Sequence, residues 1–388
     1  MKPAIIIAGA SSGWGHLQAA KNIANAVRCS EIGSAPQVID VFSYLPYGTS
    51  FLFREGWRFA SCHLGQFYDE LYRRFISHHT ASRLTSRVIH LAAERMRKDF
   101  SDRQVTVYIA THSIAAAIGS KLKEKLHFKL AVVATDFVLH SMQVFPNVDW
   151  YFLPPGCRFS FDQKTWTAVK PKIRFTGIPI ACEFSRQKDK RFLRRKFGLS
   201  PNNLTILVSF GGSGLKAERH FALLNSLVAL SSIQLLVLAG FNFKFAQVLR
   251  SRYRASITSG KIQVFDFLHD VSDFYSVADL FIGKAGGLSV SEALASNLPI
   301  GIIDTLPGQE GFNVKMLTDN GLGQDIRLAG AVQKWIRQFV DKGISPRCGK
   351  AFARFSRPKS SIEIAHYICE EFGFMTEQKR PVQMREYF

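Results

Sequence analysis

Paired cysteines are missing from this chain. Its six cysteines (Cys29, Cys62, Cys157, Cys182, Cys348 and Cys369) are scattered, with no CxxC spacing and no Cys/His cluster. That excludes a dense disulfide framework and a structural zinc site, and it fits reduced thiols in a cytoplasmic compartment. Long apolar runs are missing too. Nowhere do 18 apolar residues follow one another, the length a bilayer-spanning helix needs. The stretch that opens the chain is too short for a signal peptide and turns straight into glycines. Helix-turn-helix, RNA-recognition and zinc-finger patterns are absent, and the aromatics form no periodic stacking platform, so no nucleic-acid partner is expected. Short repeats and low-complexity tracts are lacking as well.

Negative charge is the scarcest commodity. Thirty acidic residues face 50 basic ones, a net charge of +20, and such an excess calls for an anionic partner. The excess is concentrated in Arg83–Arg103 and again in the run Arg186–Lys196. Each basic residue near an acidic membrane contributes about 1 kcal/mol of binding. A handful would hold a chain without a transmembrane helix at an anionic membrane surface, as a peripheral protein on the cytoplasmic side.

What is present is ordinary for a globular protein: 47% hydrophobic and 21% charged residues over 388 positions, enough for two domains with real cores. Short β-rich runs alternate with helical stretches, the pattern of an α/β protein with parallel sheets. Strands are expected at 4–8, 37–42, 105–110, 129–135, 150–153 and 172–175 in one half. The other half has them at 204–210, 233–239, 262–265, 280–282 and 300–303. The charged stretch 179–200 marks the boundary. The domain expectation is therefore 1–180, then 200–360, then a C-terminal helix and tail over 361–388. The segment 43–102 breaks the rhythm and mixes arginines with Phe51, Phe53, Trp57, Phe59, Phe67, Tyr68, Tyr72 and Phe75. It is too long for a simple connection, and interleaved rings and cations suit a membrane interface. A helical insertion packed on the core is the plainer alternative.

Ligands of open α/β sheets bind beyond the carboxyl ends of the strands, so three loops stand out. The first is Gly9-Ala-Ser-Ser-Gly13-Trp14-Gly15-His16. Its spacing is neither GxGxxG nor GxxxxGK[ST], although Asp40 lies where a ribose-binding acid of a dehydrogenase would. His16 is a candidate base or a helix-start cap. The second loop, Gly211-Gly212-Ser213-Gly214, follows the first strand of the second half and can wrap a diphosphate with backbone amides and the Ser213 hydroxyl. The third is Lys284-Ala-Gly286-Gly287 with Glu292 on the helix that follows, then Gln309, Glu310 and Asn313 at the next helix start. A helix N-terminus there can face a diphosphate, Glu292 can accept both hydroxyls of a ribose, and the last three side chains suit the hydroxyls of a sugar ring.

The Gly286–Glu292–Pro299 spacing, with Gln309-Glu310 and Asn313, resembles the donor-site signature of monogalactosyldiacylglycerol synthases and processive diacylglycerol glucosyltransferases. These are relatives of the peptidoglycan lipid-intermediate GlcNAc transferase. Ser11–His16 is similar to that family's Gly-Gly-Gly-His acceptor loop, although Trp14 stands where the family has a small residue. Thr111-His112, Ala134-Thr135-Asp136-Phe137 and the stretch Phe175–Pro179 resemble its further motifs, so the likeness spans most of residues 1–323.

The resemblance implies a GT-B fold, two Rossmann-like domains with parallel sheets facing a cleft. It implies an inverting transfer of a hexose from UDP-galactose or UDP-glucose to a lipid hydroxyl, that of diacylglycerol. His16 would be the general base and Asp136 the alternative base or a group that orients a histidine. Gly13, Trp14, Gly15 and His112 would line the acceptor side. Gly212, Ser213, Gly214, Gly286, Gly287, Glu292, Gln309, Glu310 and Asn313 would bind the donor, with the uracil against Leu268. The sequence contains no Asp-x-Asp pair, so no metal is expected at the diphosphate. Rival readings are a GlcNAc transferase acting on a polyprenyl-diphosphate lipid, an epimerase on the same scaffold, and a non-catalytic basic protein that binds lipid or nucleic acid.

Overall fold

The computed structural model describes residues 4–11, 13–30, 35–46, 48–52, 56, 83–212, 220–306, 308–328, 330–344 and 346–371. Ser213, Gly214, most of the aromatic-basic segment and the tail beyond residue 371 lie outside them. The chain divides into two compact units. The first is built on the described parts of Met1–Cys182, Pro307–Gln309 and Lys359–Phe388, and the second on Glu183–Leu306 and Glu310–Pro358.

The first unit contains strands β1 (Ala4–Gly9), β2 (Gln37–Asp40), β3 (Val105–Ala110), β4 (Lys129–Val133), β5 (Val138–His140), β6 (Trp150–Phe152), β7 (Arg158–Ser160) and β8 (Ile173–Arg174). Six of them form a sheet in the order β2-β1-β3-β4-β6-β8, every pairing parallel, and β5 pairs with β7 beside it. The second unit contains β9 (Leu204–Ser209), β10 (Ile233–Leu238), β11 (Ile262–Phe265), β12 (Leu280–Lys284), β13 (Ile300–Asp304) and β14 (Gly323–Asp325). Their order, β11-β10-β9-β12-β13-β14, is the doubly wound order of dinucleotide-binding folds. The runs Val105–Ala110 and Ile262–Phe265 have the expected bounds. β5, β7 and β14 were not expected. Each is three residues long, and β14 reads Gly-Gln-Asp, with no apolar run to reveal it.

Strands of a parallel sheet are covered on both faces and so read as continuous apolar runs. β10 is buried at every position. In the first unit one face packs Tyr108, Ala116 and Leu122 against Met96 and Phe100 of helix Arg83–Asp102. The other face packs Ile7, Val107 and Val133 against Ile23 and Val27 of helix Trp14–Cys29.

That second face also receives the last described helix. Helix Ser360–Glu371 buries Ile364, Ala365, Ile368 and Cys369 alongside Ala20, Ala24 and Val27, where small alanines allow close approach. Tyr367 stands edge-on to Trp150 at 5.7 Å and Phe152 at 5.5 Å, and Arg174 Nε donates to its hydroxyl at 2.8 Å. Ser360 Oγ accepts from the Ile180 amide at 3.2 Å. The C-terminal helix is thus part of the first core. Ile368→Ala would leave a cavity in that core costing about 2–5 kcal/mol, and chemical denaturation should register the loss as a lower midpoint with an unchanged slope.

Candidate functional site

A crevice forms where neighbouring strands send their connections to opposite sides of the sheet. In the first unit that point lies between β1 and β3. The loop after β1 carries Gly13–His16, and the loop after β3 carries Thr111-His112. Gly13 is the extended N-cap of helix Trp14–Cys29, so Trp14, Gly15 and His16 are its first three residues. Thr111 ties the two loops together. Its amide donates to the Ala8 carbonyl at 2.9 Å, and its hydroxyl reaches the His16 carbonyl at 2.9 Å.

His16 Nδ1 lies 2.8 Å from the Thr111 carbonyl and 3.0 Å from the Thr135 hydroxyl. A carbonyl only accepts, so Nδ1 carries the proton, and this tautomer leaves the Nε2 lone pair for an incoming hydroxyl. The Thr111 carbonyl and the Thr135 hydroxyl orient the His16 ring through Nδ1. Asp136 itself follows β4 and is partly exposed. Asp40 accepts from the amides of Ser11 at 3.2 Å and Phe42 at 3.1 Å and so holds the loop.

His112 caps helix Ser113–Lys123, its Nδ1 accepting from the Ile114 amide at 3.2 Å. Its ring stands edge-on to His16 at 4.6 Å. A third histidine, His140 at the end of β5, is 1% exposed. No sequence signal singled it out. Burial lowers the pKa of all three, His140 to about 4, and His16 lowers both His112 and His140 further by charge repulsion. The cluster is neutral at neutral pH, the state in which His16 can take a proton. Trp14 is 36% exposed and carries Lys21 Nζ 5.4 Å over its ring.

In the second unit the switch point falls between β9 and β12, and both glycine loops expected to bind the diphosphate leave the sheet there. Gly211 and Gly240 have φ of +75° and +65°, a region costly for residues with a Cβ. A Cβ on Gly240 would stand 2.5 Å from the carbonyl oxygens of both Gly211 and Gly212, so the loop after β10 packs backbone to backbone on the Gly211-Gly212 turn. The Gly212 carbonyl accepts from the Phe241 amide at 2.9 Å. Gly286 caps helix Gly287–Ala295, whose first amides lie at the strand end.

Lys284 Nζ pairs with Glu310 Oε1 at 3.2 Å, and Glu310 Oε2 accepts from the Leu306 amide at 2.6 Å. Asn313 is fully buried, its Nδ2 donating to the Ala285 carbonyl at 2.8 Å. Glu310 and Asn313, expected on the sugar, therefore brace the 284–287 turn from inside the protein. Gln309 remains partly exposed before helix Glu310–Asp319, as does Leu268 after β11. Glu292 lies partly buried in its helix. Burial pushes its carboxyl up to about 7, a hydrogen bond from Tyr275 opposes that, and Asp270 adds to it. No group of three or more His, Cys, Asp or Glu suited to a metal ion occurs among the described residues.

With this geometry in hand, likenesses to known proteins become informative. Residues 16–180 match the monogalactosyldiacylglycerol (MGDG) synthase family, and residues 205–362 match the glycosyltransferase family 28 C-terminal domain. A processive diacylglycerol beta-glucosyltransferase of Bacillus cytotoxicus is 24% identical over 387 residues, covering 95% of this chain and 94% of that protein. The enzyme of the same name from Bacillus licheniformis is 29% identical across 49% of this chain and 48% of its own. Among solved structures, Acinetobacter baumannii MurG superposes with a TM-score of 0.58 at 15% identity, covering 95% of this chain and all (100%) of that one. A UDP co-structure of Staphylococcus aureus MnaA gives 0.60 at 11% identity, with 99% and 100% covered. These two establish the GT-B fold.

The neutral histidine cluster has a consequence for stability. Burial sets the folded pKa of each histidine below its free value near 6.5, so the unfolded chain binds more protons below that pH. Stability is complete above about pH 6.5 and is lost as pH falls toward the folded values, by about 1.4 kcal/mol per pH unit for each such group. Melting curves from pH 7 down to about 4.5 should fall steeply, and His140→Asn should make that fall shallower. Two family domains in succession on two parallel sheets, the first half matching the MGDG synthase family and the second the family 28 C-terminal domain, mark this chain as a UDP-sugar-dependent hexosyltransferase of glycolipid synthesis.

Proposed function

We propose that the chain transfers glucose or galactose from its UDP-sugar to the hydroxyl of diacylglycerol at an anionic membrane surface, with inversion at the anomeric carbon. The observation that carries this reading is His16: a neutral imidazole, its Nδ1 proton donated to a backbone carbonyl, its Nε2 lone pair left to act. The acceptor hydroxyl gives its proton to Nε2 as its oxygen bonds to the sugar C1. The bond from C1 to the diphosphate oxygen breaks, and UDP leaves with that electron pair. Gly13, Trp14, Gly15 and His112 line the acceptor side, and Asp136 is the alternative base.

Departing negative charge is met by backbone amides, those of Gly212 and of Gly286-Gly287 at the helix start, together with Ser213 and Gly214. Glu292 accepts the ribose hydroxyls, the backbone at Leu268 meets the uracil, and Gln309 reaches the sugar. Glu310 and Asn313 act through the 284–287 turn that they brace. The names of the relatives, diacylglycerol glucosyltransferases among them, support the acceptor class.

Membrane attachment is supported by helix Arg83–Asp102, where Arg87, Arg95, Arg97 and Lys98 are exposed beside Leu91. No described helix is long and apolar enough to cross a membrane.

Liposomes containing diacylglycerol and an anionic lipid, offered UDP-glucose, UDP-galactose or UDP-GlcNAc, test the proposal. His16→Ala should lower kcat by about 10²–10⁴-fold, the usual contribution of a general base, while donor KM changes little. Glu292→Ala should instead raise donor KM. Donor binding without glycolipid product in the wild type would rule out diacylglycerol as the acceptor.

A further inference from the structure

The loop after β10 meets the turn after β11, and aromatic rings make the contact. Leu238 and Phe265 are register partners at the carboxyl ends of these parallel strands, so Phe241 and Phe267 follow the same edge of the sheet. Their rings lie nearly parallel, 15° apart, with centroids at 3.8 Å. Phe243 stands edge-on to Phe241 at 6.3 Å, and His269 edge-on to Phe267 at 5.2 Å. Phe241 is 40% exposed and Phe243 54%. Apolar rings left in water at the carboxyl ends of parallel strands, where ligands of such sheets bind, suit a planar group.

The backbone of Phe241 is held on both sides. Its amide donates to the Gly212 carbonyl at 2.9 Å, and its carbonyl accepts from the Phe243 amide at 3.0 Å. Asn242 caps helix Phe243–Arg252, its side chain accepting from the Phe245 amide at 3.0 Å. The Phe241 ring thus stands on a fixed loop tied to the Gly211-Gly212 turn, while its stacking partner Phe267 immediately precedes Leu268. One residue connects the turn that meets the diphosphate with the turn that meets the base.

We propose that Phe241 is a positioning residue of the donor half, its ring stacked on Phe267 to hold still the Phe267-Leu268 turn against which the uracil of the UDP-sugar lies. The proposal rests on the uracil lying at Leu268. Backbone groups select a base only if the turn that carries them is held within about 0.5 Å. A parallel pair of rings does this better than an aliphatic contact, because the ring quadrupoles favour particular orientations. The bond to Gly212 is made by the Phe241 backbone, so a change of side chain leaves it in place. The ring therefore acts on the base end of the donor and spares the diphosphate end.

The test is donor KM and kcat of the full chain on diacylglycerol liposomes, with UDP affinity measured by calorimetry without lipid. The variants are Phe241→Leu, Phe241→Tyr, Phe267→Ala, Phe241→Leu with Phe267→Ala together, and Glu292→Ala. Phe241→Leu keeps apolar bulk and loses the stack. It should raise donor KM and the UDP Kd about three- to tenfold, the scale of one aromatic pair, with kcat and melting temperature nearly unchanged. Phe241→Tyr, which keeps a ring, should stay near wild type. The double variant should be no weaker than Phe267→Ala alone, because one residue acts through the other. A wild-type donor KM in Phe241→Leu beside a raised one in Phe267→Ala overturns the positioning role and leaves the uracil at this turn. Additive losses in the double variant overturn it too, since Phe241 would then act independently of Phe267. Equal losses in Phe241→Tyr and Phe241→Leu, with lower melting temperatures, mark packing alone and also overturn it. Wild-type KM in Phe241→Leu and Phe267→Ala alike, with Glu292→Ala impaired, puts the uracil elsewhere and removes both readings together.

Discussion

A parallel strand and the helix that follows it meet at an end rich in unpaired backbone donors, because the first amides of a helix have no partner within it. Everything functional in this chain depends on where those ends collect. Each sheet reverses its winding once, between β1 and β3 in the first unit and between β9 and β12 in the second. At such a reversal the flanking helices go to opposite faces and leave a crevice. His16 and His112 are 96 residues apart in sequence yet stand ring to ring at 4.6 Å, because they follow the two strands that flank one reversal. Gly211-Gly212 and Gly286-Gly287 follow the strands that flank the other.

Burial then sets the chemistry of these ends. The same desolvation that keeps three histidines neutral in the first unit raises a carboxyl in the second. For His16 the effect leaves a nitrogen lone pair unprotonated and able to accept a proton. For Glu292 it works against ionisation. Acidic and amide groups nearby are engaged in structure instead: Glu310 and Asn313 hold the turn from which helix Gly287–Ala295 starts, and Asp40 holds the loop that precedes His16. A site built on backbone amides needs its turns held still, and buried polar side chains with satisfied hydrogen bonds do that.

The charge excess belongs to a separate layer of the design. Helix Arg83–Asp102 buries Ala92, Ala93, Met96 and Phe100 and exposes Arg87, Arg95, Arg97 and Lys98, an amphipathic split. Its apolar stripe anchors it to the first sheet while its cations remain outside. The core therefore needs none of these charges.

Sequence alone determined the alternation of apolar runs and helical stripes, hence the parallel α/β class, because continuous burial on two faces leaves only that pattern. It also determined the glycine loops and the family-like spacing of Gly286, Gly287, Glu292 and Gln309, since a strand-to-turn-to-helix passage is local. Only tertiary structure decided what each side chain does there. Nothing in the order of residues says that the Thr111 carbonyl orients His16. Nor does it say that Asn313 faces inward or that His140 joins the histidine cluster. The hydrogen bonds of His16 and Asn313 span 28 to 119 residues and form where strand order and helix packing bring distant segments together. The last helix makes the same point: its apolar face is legible in sequence, but its docking onto the first sheet is a matter of shape, the small alanines of Trp14–Cys29 leaving room for it.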